Sequence, residues 1–243
     1  MTNSSKETFE IIEDLGNRII RCQEKCDGVE NNQEKGYYPR AFFLEPENAN
    51  QVQVAVIGEN PGNSSCLERE FYKALAERND SGHATFGDCQ RVWRSIAEQH
   101  DYYKRSRHLL QELGLDLNGL LWTEIVFCEK SLSARRIPRE TYDTCVSRFL
   151  KEIVKLVPKR KHVVCLGKSA FEYVRTLSER DIWKVIGVDH PTGSFVFANY
   201  FKKESGKKVT ERKLKQRLGS KFSQLEKSQE TYIWNMRNDA RRI

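Results

Sequence analysis

The sequence has no apolar run long enough to cross a membrane, so no spanning helix is expected. Its opening, MTNSSKETFEII, has no basic region followed by an apolar core; no signal peptide is expected, and a cytoplasmic location is expected. It has no GxxxxGK[ST] phosphate fingerprint, which ranks a nucleotide-binding α/β enzyme last among the classes considered. No internal repeat or second domain is visible, so residues 1–243 are expected to be one domain, with 201–243 its basic C-terminal extension. Strong net charge is also lacking. The 41 Lys and Arg against 34 Asp and Glu give +7, so the distribution of charge matters more than its total.

What is present fits a folded chain. With 243 residues, 38% of them hydrophobic, it can bury a sizeable core. Basic residues concentrate from Phe201 to Lys227, where Lys202, Lys203 and eight others face only Glu204, Glu211 and Glu226. Such a run attracts a polyphosphate by counterion release, or it is a solvated helix face. There are seven cysteines, at 22, 26, 66, 89, 128, 145 and 165. A reducing cytosol disfavours disulfides, which leaves a metal or cluster site to consider.

Apolar spacing predicts a helix from Glu7 to Cys26, through Phe9, Ile12, Leu15 and Ile19. Residues 27–51 read as an irregular connection. Largely apolar runs predict strands at Val52–Gly58, Leu121–Phe127, His162–Gly167 and Ile182–Val188, the first with little polar interruption, which suits a central parallel position. Helices are expected at Ser64–Glu77, capped by Ser64 or Ser65, at Cys89–Gln99, in a short segment ending near Gly114, from Pro138 to Leu156, and at Lys168–Leu177. The basic tail is expected to be helical. Alternating strands and helices predict an α/β fold, a three-layer α/β/α sandwich around a mostly parallel four-stranded sheet.

In such sheets ligands bind beyond the carboxyl ends of the strands. Three polar segments fall there: Gly58-Glu59-Asn60-Pro61-Gly62, Thr123-Glu124 leading to Cys128, and Asp189-His190-Pro191. Pro61-Gly62 suits the centre of a type II turn, with Gly62 at positive φ. Pro61 also biases Asn60 to an extended backbone.

GENPG after one apolar strand and HPTGSF after another resemble the two signature motifs of the uracil-DNA glycosylase superfamily, over roughly residues 20–200. Asn60 falls where the mismatch-specific and single-strand-selective branches carry a catalytic Asn. Glu59 falls where the iron–sulfur (family 4-like) branch, whose first motif reads GEAPG, carries its Glu. His190 matches the His of the second motif. The cysteines resemble the iron–sulfur branch in order: Cys22 and Cys26 before the first motif, Cys128 after the second strand, and Cys145 in a helix after sixteen intervening residues. The first pair departs from the branch, with three residues between the cysteines in place of the usual two. One helical turn then separates the pair, which still permits ligation. Four thiolates hold a [4Fe–4S] cluster or zinc, and the resemblance favours the cluster in a structural role. Cys66, Cys89 and Cys165 read as ordinary small residues.

The resemblance implies that the protein, expected to be a monomer, acts on DNA by turning a nucleotide out of the stack. Asn60 would orient a water, with Glu59 competing as the base that activates it. His190 would donate to the base O2 or to a phosphate. Ser64, Ser65 and Ser194 are candidate phosphate contacts, as Lys202 and Lys203 are by charge. Phe86 is either the ring under the base or part of the core. Phe195 would wedge the duplex.

Two positions bear on which base is taken. The iron–sulfur branch reads the uracil edge with the Asn of an ITNVVKC-like segment. Aligned on Cys128, Glu124 stands there instead. An ionised carboxylate only accepts, so it prefers an amino group such as cytosine N4 and repels uracil O4. Protonated, Glu124 would donate toward cytosine N3, which requires a raised pKa. Gly62 stands where the strict uracil branch has a Tyr that excludes groups on C5, and leaves space. These positions point to a cytosine-derived or C5-modified pyrimidine, such as phage DNA carries, and to a role in defence. An ordinary uracil-DNA glycosylase and a non-catalytic nucleic-acid-binding module are the alternatives.

Overall fold

The computed structural model describes residues 3–46, 49–64, 66–78, 84–97, 100–156, 162–177, 184–188, 190–191 and 230–232. Its centre is a sheet built on the four expected strands, here β3 (Val54–Gly58), β4 (Leu120–Glu124), β6 (His162–Leu166) and β7 (Lys184–Val188). All five residues of β3 are buried, as a strand covered on both faces requires. Burying each such aliphatic side chain stabilises by about 1.5–3 kcal/mol.

Among the described residues the sheet has six strands, where four were expected. β2 (Phe43–Leu44) joins β4 antiparallel, and β8 (Glu230–Tyr232) joins β7 parallel, giving the order β2-β4-β3-β6-β7-β8. The sheet is therefore mixed but mostly parallel, and helices flank it. A separate two-stranded ribbon pairs β1 (Val29–Glu30) with β5 (Glu129–Lys130). Between β3 and β4 come α2 (Cys66–Arg78), α3 (Phe86–Ala97) and α4 (Asp101–Glu112). From β4 the chain crosses β3 to reach β6 on the far side. The order of strands thus reverses at β3, and a crevice opens at its carboxyl end.

The first helix, α1 (Asn3–Ile20), buries Ile12, Leu15, Ile19 and Ile20 and ends where that apolar spacing ends. It stops short of both Cys22 and Cys26, which correct the expected helical pair by standing in the following loop. Strand β4 likewise ends at Glu124, before the expected Phe127. Pro138 is the N-cap of α5 (Arg139–Cys145), one position before the first turn, with φ −66°. That helix continues through a π-helical stretch, Val146–Leu150, into α6 (Lys151–Lys155). α7 (Lys168–Val174) follows β6 and packs on β6 and β7. The basic stretch 201–227 lies outside the described residues.

Candidate active site

The carboxyl ends of β3, β4 and β7 converge on a cleft of about 810 Å³. Glu59, Asn60, Pro61 and Gly62 enter it from the end of β3, Thr123 and Glu124 from the end of β4, and His190 from beyond β7. The parallel register sets Gly58 directly beside Glu124. Two further bonds extend the ladder past the strand ends, from Ile125 N–H to the Gly58 carbonyl and from Val126 N–H to the Glu59 carbonyl, both 3.0 Å. The backbone carrying Glu59 is therefore held as firmly as the sheet itself.

Each of these side chains is further constrained. The Tyr142 hydroxyl, from α5, donates to Glu59 Oε1. Asn60 Nδ2 donates to the Pro61 carbonyl at 2.7 Å, which commits the amide nitrogen to the backbone and leaves Oδ1 as the acceptor. Gly62 is exposed and does not adopt positive φ, so the expected type II turn is not formed. A Cβ at Gly62 would meet nothing within 4 Å, so the open space expected there is present. Burial lowers the pKa of His190 below its usual value, against an opposing pull from Glu59. His190 is thus a neutral imidazole at pH 7. Its ring lies 5.5 Å from that of Tyr102.

Glu124 has the most distinctive surroundings. Its Oε2 is sealed from water and has no hydrogen-bond partner among the described residues, and neither has the neighbouring Thr123 Oγ1. Its carboxyl packs against the Gly58 α-carbon so closely that an added Cβ would collide with it. Burial pushes its pKa up to about 8, with Glu59 adding and the Arg40 guanidinium opposing. A buried carboxyl without a full partner gives up its charge. Glu124 is consequently protonated at neutral pH, offering one O–H donor and one carbonyl acceptor.

Two sequence expectations change here. Phe86 is a core residue: it opens α3, is buried, lies 4.9 Å from the Phe42 ring, and its backbone N–H is held by Asn17 Oδ1 at 2.8 Å. It does not line the cleft. The aromatic wall is made instead by Phe43, Tyr102, Tyr103 and Trp122. Tyr103 meets Trp122 edge-on at 5.1 Å, and Tyr102 meets Tyr103 edge-on at 5.1 Å. Ser64 is buried away from the cleft. Its hydroxyl bonds Glu129 and accepts from Arg40 Nη2 at 2.8 Å, and its N–H donates to Glu129 Oε2 at 2.9 Å. That leaves it no hydroxyl proton for a phosphate. Arg40 also pairs with Glu68 at 3.0 Å and lines the cleft. Ser65, Ser194, Phe195, Lys202 and Lys203 lie outside the described residues.

Arg40, Tyr102, Tyr103, Trp122 and Tyr142 were not singled out from the sequence. Aromatics at helix or strand spacing, as in DYYK and LLWTE, carry the same signal whether they face a core or a cleft.

The four cysteines occupy one neighbourhood. The β1–β5 ribbon ties the loop after α1 to the segment following Cys128. Thr141 Oγ1 donates to the Asp27 carbonyl at 2.9 Å, and Asn31 Nδ2 to the Cys22 carbonyl at 2.8 Å. The pKa of Cys128 is raised by burial and then by Cys145, Cys22 and Cys26, so all four sulfurs feel one another. Such a set has the donor chemistry of a four-thiolate site. Among the described residues no group of three or more His, Cys, Asp or Glu side chains has closed into metal-holding geometry.

No helix among the described residues is long and apolar enough to cross a membrane. No curated protein matches the chain. The sequence model of the Uracil DNA glycosylase superfamily matches residues 46–215, a span that holds both strand-end motifs and Glu124. The chain belongs to the uracil DNA glycosylase superfamily.

Proposed function

We propose that the protein is a DNA glycosylase that hydrolyses the N-glycosidic bond of a cytosine-derived or C5-substituted pyrimidine turned out of the DNA stack. Membership of the superfamily implies DNA glycosylase activity and DNA as the partner. The choice of base rests on one observation: the Glu124 carboxyl belongs to the cleft lining and has one buried oxygen, Oε2, without a partner among the described residues. An ionised carboxylate with an oxygen buried in this way is costly, which favours the neutral acid as the form that meets the base. A protonated Glu124 accepts from cytosine N4–H with its carbonyl and donates to N3 with its hydroxyl. The space at Gly62 admits a group on C5. Hypermodified phage DNA is a source of such bases, and would make the protein a defence enzyme.

In this reading the base stacks against the wall of Tyr102, Tyr103 and Trp122. As the C1′–N1 bond breaks, its electron pair leaves with the base, and neutral His190 steadies the developing charge by donating an N–H hydrogen bond. Asn60 Oδ1 holds a water at C1′. Glu59, with Oε1 engaged by Tyr142, has Oε2 to take the proton that this water loses. Cys22, Cys26, Cys128 and Cys145 would hold a [4Fe–4S] cluster, or zinc, that ties the loop after α1 to α5. When bound, such a group supplies structural cross-linking, and none of the bond-breaking described here requires it.

The proton on Glu124 also supports a second reading, an ordinary uracil-DNA glycosylase, because the same neutral fork can accept from uracil N3–H and donate to O4. The ratio of kcat/KM of the unaltered protein on modified cytosine and on uracil separates the two, and Glu124→Asn tests what the side chain contributes to that ratio. A carboxamide on a shorter stem, as in the iron–sulfur branch, should shift the ratio of kcat/KM toward uracil over modified cytosine. An unchanged ratio would remove Glu124 from base recognition. Tight DNA binding with no base released from any substrate would favour a non-catalytic binding module.

A further inference from the structure

Leu132 stands in water at the lip of the cleft. It is 86% exposed, more than any other large hydrophobic side chain among the described residues, and it belongs to the cleft lining. The loop that carries it, between β5 and α5, is braced. Ala134 N–H donates to the Ser131 carbonyl at 3.1 Å, closing a turn with Leu132 and Ser133 at its corner. Buried Ser131 anchors that turn through its N–H to the Gly28 carbonyl at 3.0 Å and its Oγ to Glu30 Oε1 at 2.6 Å. Lys130 Nζ closes the base of the loop on the Arg135 carbonyl at 3.2 Å.

Turn corners favour Gly, Pro, Asn, Asp and Ser, so turn chemistry does not call for a leucine here. The neighbours are basic: Lys130 lines the cleft, and Arg135 and Arg136 are exposed. An apolar tip on a rigid turn, flanked by cations and next to a nucleotide-sized cleft, suits a DNA duplex. The cations meet phosphates, and the apolar tip meets the base stack.

We propose that Leu132 enters the duplex from the β5–α5 loop and fills the gap left when the target nucleotide turns into the cleft. This rests on the glycosylase reading. It assigns the wedge to a different part of the chain from Phe195, to which the family resemblance gave that role. A single strand has no opposite strand and so leaves no gap within a duplex to fill, which confines the contribution of Leu132 to duplex substrates.

The test compares the unaltered protein with Leu132→Ala and Leu132→Met on one target base, in duplex and in single-stranded DNA. A 2-aminopurine beside the target reports unstacking. Leu132→Ala should lose roughly tenfold or more of kcat/KM on duplex while staying within about twofold on single strands. It should also blunt the fluorescence rise on duplex binding, and Leu132→Met should restore both. An equal loss on both substrates, or none on duplex, overturns the wedge. If the unaltered protein releases no base from either form, the glycosylase reading fails separately. The 2-aminopurine signal then decides alone, and a rise unchanged in Leu132→Ala overturns the proposal.

Discussion

Replacing Glu124 by glutamine removes a proton whose energetics the fold defines. The carboxyl has an ordinary value of 4.5 and is pushed up to about 8 by burial. The rise from 4.5 to about 8 corresponds to ~5 kcal/mol of linkage between folding and protonation. Because the folded value lies above the unfolded one, this contribution to stability is fully present below pH 4.5 and lost as pH rises to about 8. Between those limits the loss is about 1.4 kcal/mol per pH unit, and above them it levels off. Glutamine keeps the shape and carries no titrating proton. The stability of Glu124→Gln minus that of the unaltered protein should therefore rise across pH 5–8 at about that slope and flatten near pH 9. Urea unfolding of both proteins at each pH gives the difference directly, and cancels groups such as His190 that titrate in both. Base release should follow the same proton: the unaltered protein should lose activity above about pH 8, and the variant should not. A stability difference that stays flat with pH would refute the idea that Glu124 is folded as the neutral acid.

Two other predictions concern the Tyr142 hydroxyl and the four cysteines. Tyr142→Phe removes the hydroxyl that holds Glu59; a hydrogen bond to a charged group contributes about 1.5–3 kcal/mol, so kcat should fall roughly tenfold or more with KM little changed. A variant with unaltered kcat would show that Glu59 needs no orienting partner. The purified protein should carry iron and sulfide with visible absorbance, and Cys26→Ala should lose both and lower the Tm. Zinc alone would replace the cluster with a zinc site, and metal-free protein of full stability would dismiss the four-thiolate assignment.

The parts of the fold legible in the sequence were those with one strong signal. β3, β4, β6 and β7 are largely apolar runs, three of them leading into polar motifs, and their parallel order follows from the helices between them. β2 and β8 are two and three residues long and exist through pairing at the sheet's edges, so no period could announce them. Glu59, Asn60, Glu124 and His190 were read as a set because each ends a strand, and the cleft gathers all four. Phe86 was ambiguous in principle. Its place in the core depends on Phe42 and Asn17, which are distant in sequence. Ser64 looked like a free hydroxyl at a helix start, and nothing local shows that Glu129, sixty-five residues away, would claim it. Tyr142 illustrates the same limit, since its tie to Glu59 spans eighty-three residues.

The central claim is tested most directly by base release from DNA carrying, at one position, uracil, a thymine mismatch, or cytosine with a methyl, hydroxymethyl or glucosylated hydroxymethyl group. Asn60→Ala serves as the inactive control. Release of a modified cytosine in preference to uracil, abolished in Asn60→Ala, is the predicted result. Release of uracil with no modified cytosine touched would contradict it and return the protein to ordinary uracil excision.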